Sequence, residues 1–202
     1  SSFALLQGVR DCLKQAGGDM KALSQKVEKH PAVEKTYKAD VVIVGGGGAG
    51  LAAAIAAEEA GAKHILVLEK LGFLGGSTNV SEGALNAVDP VRQGKQGIED
   101  SVQKFYDQTM KGGHNKGTPE LVKYLTSHSM DEVNWLEGLG VKFKDEIGTA
   151  TGALWQRSHY PATPSGNTYI RTFEDVIRNS GGRIQVLTDT KVTDLILSLI
   201  HI

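Results

Sequence analysis

Gly45, Gly47 and Gly50 set a G-x-G-x-x-G spacing directly after the apolar run Val41-Val42-Ile43-Val44. Each glycine has its own task in a phosphate-binding turn. Gly45 permits the tight exit from a strand. Gly47 lets the backbone approach a pyrophosphate, and Gly50 lets a helix pack close to that strand. Ala49 lines the same turn. The phosphates would sit at a helix N-terminus, where unpaired N–H groups and the helix dipole favour negative charge. Glycine turns are common, so the spacing alone is a weak signal. Glu69 strengthens it, lying about 20 residues past the last glycine. A carboxylate there accepts from both ribose hydroxyls and repels a 2′-phosphate, which disfavours NADP. Lys70 could meet a phosphate, but a solvated lysine at a strand end is the plainer assignment.

The flanking segments supply what such a turn needs. Residues 40–44 are a β-branched run that predicts a buried strand. Residues 51–60 are Ala-rich and helical, with Gly61 as the stop. Residues 64–68 predict a second strand that ends at Glu69. Strand, glycine turn, helix and strand make a βαβ unit with a right-handed crossover and a parallel pair. The expected class is α/β, with a Rossmann-like dinucleotide-binding domain.

NAD and FAD both use this turn. The segment after Glu69 separates them. Gly75-Gly76-Ser77-Thr78-Asn79 is a second loop of small residues, hydroxyls and backbone donors, and Glu82-Gly83-Ala84-Leu85-Asn86 adds another close approach. A longer ligand needs a longer path, so the spacing favours FAD; a plain surface loop is the alternative.

Elsewhere the pattern predicts helices over 2–16, 98–110, 120–139 and 169–179, and strands over 184–187 and 192–196. Pro119 fits the first turn of its helix, with Thr118 as cap. Residues 146–166 read as irregular. Residues 23–38, with His30-Pro31, read as a short helix and then a linker.

The 202 residues carry 22 basic and 23 acidic side chains. That balance gives no sign of a nucleic-acid partner. No apolar run approaches the roughly 20 residues of a membrane span. No signal peptide is present, which says little for a chain without an initiating Met. Cys12 is the only cysteine, so no internal disulfide or Cys pair exists. It shares an apolar stripe with Leu5, Leu6, Val9 and Leu13, which predicts a small buried side chain.

Several segments together resemble one family. They are VVIVGGGGAGLAAAIAAEEAGA, LEK, GGSTNVSEGALNA, TMKGGHN and LVKYLTSHSMDEVNWLEGLG, which follow one another between Asp40 and about Ile196. The order and motifs are similar to the fumarate reductase/succinate dehydrogenase flavoproteins, in the branch of flavocytochrome c and urocanate reductase. The resemblance implies a partial GR2-type FAD domain over 40–196, with its capping domain further along. It implies that Gly45, Gly47, Ala49 and Gly50 hold the pyrophosphate and that Glu69, with Lys70 beside it, binds the adenosine ribose. Gly76, Ser77 and Thr78 would touch the phosphate and ribityl region. Glu82 and Gly83 would approach the flavin through their backbone, and Val192 would meet the adenine edge. The family often has Asn at the position of Ser77.

The implied reaction reduces a C=C bond conjugated to a carboxylate, with an electron-donor protein or domain as partner. The family's acid and carboxylate clamps lie downstream of the matched residues, so no catalytic residue is assigned. Arg157 and His159 fall in a stretch similar to a family loop N-R-x-H-R-P, from which Gln156 and Tyr160 depart. They could face the flavin or brace the cap. His114 and His128 read as loop and helix-face residues; Trp135, Leu136 and Leu139 read as core. Residues 1–22 resemble the closing helix of a covalent FMN-binding domain, so FMN is a second expected cofactor upstream. Residues 23–39 are then linker, and 197–202 a non-native tail. The resemblance also leans toward a prokaryotic cell-envelope or periplasmic protein. Other flavoenzymes on the same scaffold, of ketosteroid dehydrogenase or aspartate oxidase type, and a non-catalytic electron-transfer module are the competing expectations.

Overall fold

A computed structural model describes residues 2–25, 34–163 and 165–197. The chain divides into two units, Ser1–Tyr37 and Lys38–Ile202. The first holds α1 (Ser2–Gln15) and α2 (Met20–Leu23). Gly17, at φ +77, ends α1 in a left-handed turn, and the Gly18 amide donates to the Leu13 carbonyl. Asp19 caps α2 by accepting from the amides of Lys21 and Ala22. The stripe of α1 is amphipathic but uncovered: Phe3, Leu5, Leu6 and Val9 are all exposed. Cys12 is exposed as well, which corrects its expected burial. Periodicity foretells which side of a helix is apolar; burial also requires an opposing surface. The expected linker falls partly on residues 26–33, outside the described residues.

The second unit starts with β1 (Val41–Val44), α3 (Gly48–Glu59) and β2 (Ile65–Leu68). The two strands pair in parallel, Val41 opposite Ile65. Asp40 fastens the entry by accepting from the amides of Lys63 and His64 at 3.2 and 3.0 Å. Next come α4 (Gly76–Asn79), β3 (Leu85–Asn86), α5 (Pro90–Lys95), α6 (Val102–Gly112) and α7 (Pro119–Gly138). The unit closes with β4 (Ser158–His159), α8 (Asn167–Asn179) and β5 (Ile184–Leu187). Sheet order is β1-β2-β5, all parallel, which makes β2 the central strand. A separate antiparallel pair joins β3 to β4.

The core lies on one face of the sheet. Leu51, Ala54 and Ile55 of α3 meet Ile65, Val67 and Ile184 of the strands. Tyr169, Ile170 and Phe173 of α8 and Val133 and Leu136 of α7 close over α3. The alanines of α3 offer little bulk, which lets neighbouring helices approach closely. On the other face Val42 and Val44 are 54% and 63% exposed.

Four local expectations change. Residues 192–196 form no strand; β5 carries no further paired strand among the described residues, and an unpaired strand has no ladder to hold it. The helix expected from residue 98 starts at Val102, because Ser101 caps it and the Ile98 amide donates to Gln93 instead. Thr118 holds the N-cap position of α7, but its side chain makes no capping bond. Within the segment expected to be irregular, Ser158–His159 forms β4. Residues 198–202, most of the tail set apart by sequence, lie outside the described residues.

Candidate functional site

The site begins at the end of β1. Gly45 turns at φ +103, a left-handed value that a residue with a Cβ rarely adopts, and its amide donates to Leu68 at 2.8 Å. Gly47 stands at the N-cap of α3, where a Cβ would have the Gly75 carbonyl oxygen as its nearest neighbour, 3.9 Å away. That position is open to a ligand. A Cβ on Gly50 would collide with the Gly45 carbonyl oxygen, so only glycine lets α3 start this close to the turn. The first-turn amides of Gly48, Ala49 and Gly50 have no intrahelical acceptor. Ala49 is exposed beside them.

Glu69 is 8% exposed and grips the turn from β2. Its carboxylate accepts from the Leu71 amide at 2.8 Å and from the Gly46 amide at 2.7 Å. Those two donors, Leu71 first, hold its carboxyl below the ordinary range. Lys70 is exposed. The Thr190 amide donates to the Glu69 carbonyl at 2.8 Å, which brings the chain leading to half-buried Val192 beside it.

The second loop joins the first directly. The Gly75 amide donates to the Gly46 carbonyl at 2.8 Å, and Gly47 bridges Gly75. Gly76 opens α4 at φ +50, and Ser77 is exposed. Thr78 packs against the head of α3: a Cβ on Gly48 would lie 2.6 Å from Thr78 Oγ1. A cavity of about 340 Å³ opens between these parts, walled by Gly48, Ala49, Ala52, Thr78, Gly83, Leu85, Leu136 and Tyr169. The structure therefore brings Ala49, Thr78 and Gly83 together. Lys70 and Glu82 are exposed and line none of it.

Arg157 and His159 go elsewhere. Arg157 makes two bonds to Asp100, from Nε at 2.8 Å and Nη2 at 2.7 Å, and lies over the Phe105 ring. His159 is fully buried, with Nε2 3.2 Å from Asp89 Oδ2. Arg92 Nη1 donates to the same Asp89 Oδ2 at 3.0 Å, and its Nη2 reaches Glu137 of α7. Both residues brace the β3–β4 region rather than line the cavity. His114 lies in a left-handed loop position and His128 on an exposed helix face, as expected. Trp135 is part of the core packing and donates to Glu59, while Leu136 serves both core and cavity wall.

Sequence reasoning missed Tyr169, which stands in the cavity wall and donates to the Gly83 carbonyl. The sequence pattern placed it only at the start of an expected helix over 169–179.

The parts suit one kind of ligand. Backbone donors at a helix head, glycines that leave room for a close approach and an adjoining largely apolar cavity fit a pyrophosphate continued by a flat ring system. The FAD binding domain family matches residues 40–198. NADH:fumarate oxidoreductase of Klebsiella pneumoniae (strain 342) is 38% identical over 88% of this chain and 19% of its own length. NADH:acrylate oxidoreductase of Vibrio harveyi is 31% identical over 98% of this chain and 25% of its own. The open conformation of a flavocytochrome c3 fumarate reductase superposes with a TM-score of 0.74 at 34% identity, over 81% of this chain and 28% of that one. The chain thus spans a quarter or less of the two curated relatives. Motif, geometry and matches agree that the chain belongs to the FAD binding domain family, among flavoproteins of the fumarate reductase type.

Proposed function

We propose that this chain is the adenine-side half of the FAD site in an oxidoreductase that reduces the C=C bond of an unsaturated carboxylate, of the fumarate, urocanate or acrylate class. One observation carries the FAD placement: the two glycine loops are hydrogen-bonded to each other at the head of α3, through Gly75 and Gly46, with the cavity beside them. Gly45, Gly47, Ala49 and Gly50 hold the pyrophosphate. Glu69 serves the ribose, and Val192 approaches the adenine by its main chain. Gly76, Ser77 and Thr78 meet the phosphate and ribityl region, and Gly83 the flavin. When bound and reduced, FAD supplies the hydride from N5.

The substrate class rests on the relatives named for fumarate and acrylate. The described residues bind and orient; they include no candidate for the proton donor. Lys70 and Glu82 take at most a peripheral part, given their exposure.

The test uses protein expressed from the whole reading frame that encodes this chain. Flavin absorbance that stays with the protein through purification is the first expected result. Reduced protein should then be reoxidised by fumarate, urocanate or an acrylate. Colourless protein that takes up no FAD would defeat the proposal. Flavin-bound protein that none of these acids reoxidises would remove the substrate class and keep the cofactor.

A further inference from the structure

The loop over residues 75–86 makes its own turn bonds through α4 as far as Ser81, whose amide donates to the Thr78 carbonyl. Ser77, Val80, Ser81 and Glu82 are exposed or half-buried, and three of its residues are glycines. The start of α8 holds it from outside. The Gly166 amide donates to the Ser81 carbonyl at 2.9 Å, and Asn167 Nδ2 donates to Asn79 Oδ1. The Tyr169 hydroxyl donates to the Gly83 carbonyl at 2.6 Å, in a buried position. The two backbones touch. A Cβ on Gly83, which sits at φ +82, would lie 2.7 Å from the Gly166 nitrogen.

The bond from Tyr169 has a directional effect. In a trans peptide the C=O of one residue and the N–H of the next point opposite ways. No cis peptide occurs among the described residues. Holding the Gly83 carbonyl therefore also aims the Ala84 amide. Ala84 borders the cavity, and among the described residues no protein group accepts from its N–H. The tyrosine is 7% exposed, and burial pushes its phenol far above the ordinary value, so it remains a donor across the working pH range.

We propose that Tyr169 is a positioning residue of the flavin site: by fixing the Gly83–Ala84 peptide, it presents the Ala84 N–H to an acceptor atom of the isoalloxazine edge, a role that rests on the proposed placement of FAD. The ring of Tyr169 forms wall, while its hydroxyl sets the direction of a donor on another residue.

The test is made on protein from the whole reading frame, stripped of FAD and reconstituted. Tyr169→Phe keeps the ring and removes the hydroxyl. FAD dissociation constant, visible flavin spectrum and melting temperature of the apoprotein are measured together. The dissociation constant should rise roughly three- to tenfold, the scale of one hydrogen bond, and the flavin band should shift. Val176→Ala, on the same helix, serves as the control: it should lower the melting temperature and leave FAD affinity and spectrum unchanged. In the unsubstituted protein, FAD should slow hydrogen exchange at Ala84, a readout that survives even if Tyr169→Phe fails to fold. Wild-type affinity and spectrum in Tyr169→Phe would overturn the inference. So would an Ala84 amide that exchanges equally with and without FAD. Unsubstituted protein that takes up no FAD would overturn the proposed function, and this inference with it.

Discussion

The carboxylate of Glu69 and the amide of Gly46 are hydrogen-bonded at 2.7 Å, so the residue that ends β2 also shapes the turn that leaves β1. One side chain thereby shapes the glycine turn and, under the proposed placement of FAD, marks the ribose position. Its carboxyl is held down by the Leu71 and Gly46 amides, so its folded value lies below the ordinary one of 4.5. The stability it contributes is present above that ordinary value and is lost as pH falls through the lower folded one. Glu69→Gln should flatten this part of the pH–stability curve. It should also weaken FAD binding. Chemical denaturation of both proteins at a series of pH values below about 5, with flavin titration at neutral pH, checks both. Parallel curves and equal affinities would refute the assignment.

Gly50→Ala should fail at the backbone level. The added Cβ would meet the Gly45 carbonyl oxygen, which cannot move without opening the turn. A loss of about 1–3 kcal/mol is expected from such overpacking, together with loss of bound flavin. Gly94, with nothing within 4 Å of its Cβ position, is the matched control. Gly94→Ala should leave flavin content unchanged in the same purification.

Arg157→Met should be costly without touching the cavity. It would leave the Asp100 carboxylate, whose side chain is 1% exposed, without its bidentate partner. Breaking one side of a buried pair costs about 3–5 kcal/mol. Burial alone would raise the Asp100 carboxyl, but bonds from Arg157, Gln93 and Ser101 hold it below the ordinary range. The pair's stabilisation should therefore persist above the ordinary carboxylate value and fade as pH falls through the depressed one. Asp100→Asn in the Arg157→Met background should recover part of the loss. Urea unfolding of the single and double variants measures it; equal stability of Arg157→Met and wild type would contradict the burial.

Cys12 should be open to thiol reagents in the folded 202-residue chain. One equivalent should react with a thiol reagent at the rate seen in denaturant. A protected thiol would show that the stripe of α1 is covered after all.

The phosphate turn was legible in the sequence because glycine is written into it by steric need. Gly45 requires its φ and Gly50 its missing Cβ, and no neighbour distant in sequence alters either demand. The β1–α3–β2 unit was legible for the same local reason. Partnership across the chain was not. Arg157 reads as a loop arginine until Asp100 is set against it, and His159 as a possible flavin contact until Asp89 closes on it. The strand expected around Val192 failed on a related point: a β-branched run states a preference, while a strand needs a pairing edge. Tyr169 was hidden most completely, since its hydroxyl answers a carbonyl in a loop far earlier in the chain.

The central place of β2 gives the molecule an order of assembly. Its pairing with β1 closes over one short helix, whereas its pairing with β5 must wait for most of the unit to be made. Contacts close in sequence cost less chain entropy to form and tend to form sooner. The glycine turn between β1 and α3 is therefore expected to mature before the clamp from α8 reaches Gly83. Pulsed hydrogen exchange during refolding should protect the β1–β2 amides ahead of those of α8, and simultaneous protection would contradict it. A nascent chain would then meet its nucleotide by the adenosine end, with the ring system settling last.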